Sequence, residues 1–150
     1  GVLIFQGLEK VFWEIYPCRD TNALKVIRQP SAMGGTPMKK ALETAWSWIR
    51  HNASQARFIL ISDGLPTDSN AEEILKLAKE NINIPIDTVG IGIAGTGIYT
   101  YGAYDPIFLK ELSRLTNGEF FEVGSVKLLG KTIKKLSPAE RPLLGIVKGS

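Results

Sequence analysis

A short apolar run in the middle of the chain constrains its fold more than any other feature. Residues Arg57 to Ser62 read RFILIS, and Asp63-Gly64-Leu65-Pro66 ends the run abruptly. A continuous apolar run of this length with polar flanks is typical of a parallel strand buried on both faces. A second run of this kind, Pro85 to Ile91, follows after a helical stretch. The sequence therefore predicts a parallel sheet that is covered by helices on both faces.

The rest of the chain supplies the elements that such a sheet needs. Two runs rich in aromatic and β-branched residues, Gly1 to Phe5 and Lys10 to Tyr16, flank a hairpin turn and predict an antiparallel edge. Five helices are predicted from caps and apolar stripes: Asp20–Gln29, one that Thr36-Pro37 opens, one after a capping box of Ser69 and Glu72, Ile107–Leu115 after Asp105-Pro106, and Ser125–Leu136. A short strand is predicted at Glu119–Val123. The predicted fold class is α/β: a Rossmann-like, mostly parallel sheet with one antiparallel edge strand and helices on both faces.

Composition excludes two classes of partner. The 150 residues carry 18 basic and 15 acidic side chains, and this formal charge of +3 is spread too evenly for a nucleic-acid-binding surface. No apolar run approaches the ~20 residues of a membrane-spanning helix. The single cysteine, Cys18, excludes an intrachain disulfide and favours a reducing compartment. We therefore expect a cytoplasmic protein with no membrane span and no nucleic-acid partner.

Two oxygen-bearing side chains are predicted at the edge of the sheet where parallel strands end. Asp63 follows the buried run directly, and Thr36 lies at the mouth of a Gly-Gly loop. Ligands of open α/β sheets bind at this edge. A carboxylate and a hydroxyl suit a hard cation such as Mg²⁺. Asp68, further along the same turn, is interpreted as a turn or cap residue.

Three segments together resemble a known family. They are Gly34-Gly35-Thr36-Pro37, the stretch FILISDGLPTD from Phe58 to Asp68, and VGIGI from Val89 to Ile93. In this order and spacing they resemble the central and C-terminal part of a von Willebrand factor A (vWA) domain. The resemblance implies that Thr36 and Asp63 belong to a metal-ion-dependent adhesion site (MIDAS) for Mg²⁺ or Mn²⁺. The TP and DGxPTD forms of the motifs are more similar to those of intracellular bacterial and archaeal members that accompany AAA+ ATPases than to those of integrin domains.

The chain departs from the family pattern at its first element. The Asp-x-Ser-x-Ser motif that follows the central strand of the family is absent, and Gly1 to Phe5 corresponds to the second strand. Three of the usual five adhesion-site side chains are therefore missing. The chain is a fragment, or it takes the strand from a partner or a second copy, or its own tail, Pro142 to Val147, fills the central slot. We divide it into a vWA-like domain at residues 1–136 and a tail at 137–150.

The function expected from these features is protein–protein interaction without catalysis. A bound cation would complete its shell with a carboxylate of a protein partner, such as an AAA+ ATPase or another assembly component. Gly35 and Gly64 beside the ligands, and Tyr99 and Tyr101 in the loop Ile93–Tyr104, are candidate partner contacts. Alternatives are a structural scaffold without metal and a metal-dependent hydrolase or phosphatase that uses Asp63. Self-association is a further expectation, because an uncovered slot exposes strand edges.

Overall fold

The computed structural model describes residues 2–7, 10–14, 34–51, 56–91, 105–123, 131–132 and 145–149, with the backbone alone at 2, 10–14 and 145–149. Six strands lie within these residues: β1 (Val2–Gln6), β2 (Lys10–Glu14), β3 (Phe58–Ser62), β4 (Ile86–Ile91), β5 (Phe120–Val123) and β6 (Gly145–Gly149). All six belong to one sheet in the order β2-β1-β6-β3-β4-β5.

The sheet is parallel except at one edge. β2 pairs antiparallel with β1 through the predicted hairpin, with Gln6 opposite Lys10. The pairs β1–β6, β6–β3, β3–β4 and β4–β5 are all parallel. The strand β6 lies in the central position, between β1 and β3, and it begins three residues later than the run proposed for the tail. The molecule therefore has the predicted α/β Rossmann-like fold.

Three helices fall within the described residues. They are α1 (Met38–Ile49), α2 (Ala71–Leu77), which continues as a single π-helical turn (Ala78–Ile82), and α3 (Pro106–Leu115). The π turn closes with the Asn83 N–H donating to the Ala78 carbonyl at 3.0 Å, and Asn83 has a left-handed φ of 50°. The helix predicted at Asp20–Gln29 lies outside the described residues. So does that at Ser125–Leu136, except for helical residues 131–132.

The ends of α3 agree with the sequence prediction. The Asp105 carboxylate accepts the Phe108 N–H at 3.0 Å, and Pro106 occupies the first helical position. At the other end Asn117 has a φ of 57°, and the Gly118 N–H donates to the Ser113 carbonyl at 2.8 Å. A left-handed residue that closes the last turn in this way is a common helix C-cap.

The predicted cap of α2 was wrong by one residue. Asn70, not Ser69, caps this helix: its side-chain oxygen accepts the Glu73 N–H at 2.9 Å. The Asn70 amide also contacts the Glu73 carboxylate at 3.4 Å, so the reciprocal pairing is Asn70 with Glu73. Ser69 and Glu72 have the same spacing, and the residue pattern alone does not distinguish the two registers.

The larger core lies on the face of the sheet that the three helices cover. The predicted stripe of α1 is buried there, with Met38, Ala41 and Leu42 completely inaccessible. It packs with residues of β1, β3, β4, α2 and α3. On the opposite face Ile59, Ile61, Val89 and Val123 form a second buried cluster. Both faces of β3 are therefore buried, as the apolar run predicted.

A buried ion pair joins the beginnings of β3, β4 and β5. Asp87 is fully buried, and its Oδ1 accepts a hydrogen bond from Arg57 Nη2 and, at 2.9 Å, from the Glu119 N–H. Arg57 Nε and Asp87 Oδ2 are buried, and neither has a hydrogen-bond partner among the described residues. The pair lies at the end of the sheet opposite to Asp63, so it belongs to the framework and not to the candidate site.

Candidate functional site at the carboxyl edge of the sheet

The loop before α1 and the turn after β1 touch at the edge of the sheet where the parallel strands end. The Gly7 N–H donates to the Gly35 carbonyl at 3.2 Å. Gly35 has a φ of +96°, and a Cβ atom built on it would lie 2.5 Å from the Gly7 carbonyl oxygen. Only glycine fits this close approach of two backbone segments. The Gly-Gly sequence therefore brings the residue that follows, Thr36, to the sheet edge.

Thr36 is held by the turn that follows β3. Its N–H donates to Thr67 Oγ1 at 2.8 Å, and its carbonyl accepts the Thr67 N–H at 2.9 Å. Thr36 is 5% exposed. The hydrogen bonds it makes with other described residues use its backbone and not its hydroxyl. The structure thus brings the two predicted motifs, residues 34–37 and 63–68, into direct contact.

Asp63 begins the turn after β3 and is half-buried. Its Oδ1 accepts the Leu65 N–H at 3.0 Å and contacts Ser62 Oγ at 3.4 Å. Neither of these contacts uses Oδ2. Ser62 Oγ in turn accepts the Gly64 N–H at 3.1 Å. The side chain is therefore oriented by its own turn and keeps one carboxylate oxygen that no described residue binds.

Gly64 allows the start of α3 to approach this turn. It has a φ of +79°, and a Cβ atom built on it would lie 2.7 Å from the Asp105 carbonyl oxygen. The Asp105 N–H donates to the Asp63 carbonyl at 2.8 Å. Residues 63–65 and the first turn of α3 therefore form one continuous surface.

Asp68 is a helix-cap residue, as the sequence suggested. It caps α1, whose first turn lies 28 to 29 residues earlier, and not α2, which follows it directly in the chain. Its two carboxylate oxygens accept the N–H groups of Lys39 at 3.1 Å and Lys40 at 2.8 Å, in the first turn of α1. The prediction that the Thr36 hydroxyl caps α1 was wrong, because Pro37 occupies the N-cap position of this helix and its capping acceptors come from Asp68. The real cap is distant in sequence, and a local pattern cannot reveal it.

Among the described residues, the loops at this edge carry three aspartates, and two of them cap helices. Asp68 uses both of its oxygens to cap α1, whereas Asp105, which caps α3, and Asp63 each accept with Oδ1 alone, so both keep one oxygen that no described residue binds. Beside Asp68, the Glu73 carboxylate accepts a hydrogen bond from Lys39 Nζ at 3.1 Å. This hydrogen bond, with the attraction between the charges, raises the pKa of Lys39.

The donors at this edge suit Mg²⁺ in type and fall short in number. Among the described residues no group of three or more His, Cys, Asp or Glu side chains could hold a metal ion. Thr36 and Asp63 offer one hydroxyl and one carboxylate, whereas Mg²⁺ takes six oxygens and often keeps several waters. A cation at these two residues would be mainly water-coordinated.

Two exposed apolar side chains, which were not among the predicted site residues, lie in the turn of Asp63 and in the first turn of α3, whose cap residue Asp105 donates its N–H to the Asp63 carbonyl. Leu65 is 45% exposed and Ile107 is 79% exposed. Among the described residues, these two are the exposed large hydrophobic side chains. Leu65 lies in the turn of Asp63, and Ile107 lies in the first turn of α3, off the buried stripe of Phe108, Leu109 and Leu112. A signal was present in the sequence, since Leu65 interrupts a polar turn. Tyr99 and Tyr101 lie outside the described residues.

Comparisons with known proteins add a similarity to a solved structure. No family model and no curated protein matches the chain. A crystal structure of an uncharacterized membrane-spanning protein from Vibrio fischeri is 26% identical, and the match covers 82% of this chain and 67% of that chain with a TM-score of 0.46. Within the described part of this chain, none of the helices has the length and apolar character needed to cross a membrane.

Proposed function

We propose that this chain is a protein-interaction module of the vWA type that binds its partner at the carboxyl edge of the sheet. The observation that carries the proposal is that Leu65, in the turn of Asp63, and Ile107, in the first turn of α3, are both exposed, and that Asp63, bonded to both segments, keeps a carboxylate oxygen that no described residue binds. Exposed apolar side chains next to a fixed polar group are a usual composition for a protein-binding surface. The loops are held by backbone hydrogen bonds, so little order has to be gained on binding.

The vWA resemblance supports the class of partner and the location. Its motifs, GGTP and ISDGLPTD, resemble those of intracellular members that accompany AAA+ ATPases more than those of integrin domains, which makes such an assembly component our proposed partner. The proposal keeps a cytoplasmic location, which rests on that similarity and on the single cysteine.

Partner docking is tested by site-specific crosslinking in cells of the source organism. A photoreactive residue is placed at Leu65, at Ile107 and, as a control, at exposed Glu80 near the opposite end of the sheet. We expect positions 65 and 107 to capture the same discrete protein, position 80 not to capture it, and Asp63→Ala to reduce the yield severalfold. Equal capture from all three positions would exclude a specific docking edge.

A divalent cation at Thr36 and Asp63 is the second part of the proposal. A ligand that binds only the native state raises its stability. Melting curves in EDTA, Mg²⁺ and Mn²⁺ should therefore show a cation-dependent rise in Tm for the wild type that Asp63→Ala abolishes. Asp68→Ala is the matched control: it removes a carboxylate that caps α1, so it should lower Tm and retain the cation-dependent rise. No rise in any protein would reduce the site to a metal-free surface.

A further inference from the structure

The centre of the sheet is completed by a strand that is distant from both of its neighbours in the chain. β6 pairs with β1 on one side and with β3 on the other, and Val147 is the register partner of both Leu3 and Leu60. β1 and β3 therefore have β6 between them instead of each other. Without β6, two strand edges with unpaired N–H and C=O groups would face an empty slot.

The sequence of β6 stabilises a central strand poorly. A central parallel strand usually reads as a continuous run of Val, Ile and Leu. β3 fits that description with FILIS, whereas β6 reads GIVKG and has glycine at both ends. Its Lys148 is the register partner of Ile4 and Ile61, which are 6% and 1% exposed. Glycine adds no packing and raises the entropic cost of ordering a strand. β6 should therefore leave its place more easily than β3 or β4.

The segment between β5 and β6 is long enough for β6 to reach the central slot of a second molecule. Residues 124–144 separate β5 from β6. Fully extended, such a segment spans roughly 70 Å. The slot lies three strand spacings from β5, about 14 Å. The covalent chain thus permits β6 to enter the sheet of its own molecule or that of a neighbouring one.

We propose that the slot between β1 and β3 is a strand-exchange site, and that its second occupant is residues 145–149 of another copy of this chain. A second copy is favoured over a foreign strand because it offers the same sequence in the same register, so each pairing lost in one molecule is regained in the other. Reciprocal exchange of this kind gives a symmetric dimer without any new complementary surface. The inference is independent of the docking edge at Asp63.

Disulfide trapping between two different variants tests the exchange. Both carry Cys18→Ser; one has Leu60→Cys and the other has Val147→Cys, which are register partners in β3 and β6. The two chains, each comprising residues 1–150, are mixed at high concentration in mild urea, returned to buffer and oxidised. We expect a disulfide-linked heterodimer, because paired strands bring the two Cα atoms within disulfide range. An excess of a synthetic peptide of residues 142–150 should lower its yield severalfold.

Three controls make each outcome decisive. Ile61→Cys replaces Leu60→Cys as a mismatched position, since Ile61 pairs with Lys148 and not with Val147. Leu3→Cys tests the β1 side of the slot and serves if Leu60→Cys does not fold. A chain with both cysteines, Leu60→Cys and Val147→Cys, tests the pairing within one molecule. If this chain closes its internal disulfide while the mixed variants give no more heterodimer than the mismatched pair, β6 does not exchange and the proposal is wrong. Failure of both reactions would contradict the pairing itself and overturn the proposal as well.

Discussion

At the scale of single residues, two adjacent glycines before α1 experience different surroundings. A Cβ atom on Gly34 would have no neighbour within 4 Å among the described residues, whereas one on Gly35 would lie 2.5 Å from the Gly7 carbonyl oxygen. Gly35 also has a φ of +96°. Because both the backbone angle and the close approach forbid a side chain at position 35, the contact between residues 7 and 35 depends on it.

We predict opposite effects for alanine at these two positions. Gly35→Ala should lower the free energy of unfolding by about 2–4 kcal/mol, because it combines backbone strain with a clash against backbone atoms. Gly34→Ala should leave the free energy of unfolding unchanged or raise it by up to about 1 kcal/mol, because alanine lowers the conformational entropy of the unfolded chain. Urea denaturation followed by circular dichroism measures both. Equal effects at the two positions would mean that residues 7 and 35 do not approach each other as described.

At the scale of elements, the first turn of α1 shows how far a local pattern can be trusted. The sequence predicted the start of this helix to within one residue and the face that it buries, since both depend on neighbouring residues. It did not predict the cap, because the capping group is Asp68, on the turn after β3. The same reason explains the candidate site: the GGTP and ISDGLPTD motifs were visible, whereas their contact through Thr36 and Thr67 arises only in the folded chain.

The two possible caps of α1 lead to a direct comparison of variants. Asp68→Ala should cost about 0.5–2 kcal/mol, the usual effect of removing a helix cap. Thr36→Val should change stability little, since the hydroxyl it removes does not cap the helix. Asp68→Asn keeps one oxygen acceptor and should lie between them. Thermal unfolding of the three variants gives the order, and a larger loss for Thr36→Val than for Asp68→Ala would contradict the cross-chain cap.

At the scale of the whole molecule, β6 determines whether the sheet is one unit or two. From the sequence, the tail is one of several candidate occupants of the central slot. Its strand signal is weak, because its apolar run is short and is followed by a lysine and a glycine. In the structure β6 joins β2–β1 on one side to β3–β4–β5 on the other. Apart from β6, β1 is held by its hairpin partner, by α1 and by the contact between Gly7 and Gly35. Removal of β6 should therefore loosen the smaller half first.

Proline in β6 tests this division, since proline removes a ladder hydrogen bond and does not fit a central strand. In Val147→Pro, measured by hydrogen exchange at low protein concentration, we expect the amides of β1 that face β6 to exchange about tenfold faster or more, a loss of roughly 1.4 kcal/mol. The amides that pair β4 with β5 do not face β6 and should lose much less protection. Val147→Ala keeps the N–H group and is the matched control. A sheet that opens as one unit would lose protection equally in β1 and β4. An equal loss in these two strands would therefore contradict the division of the sheet into two parts.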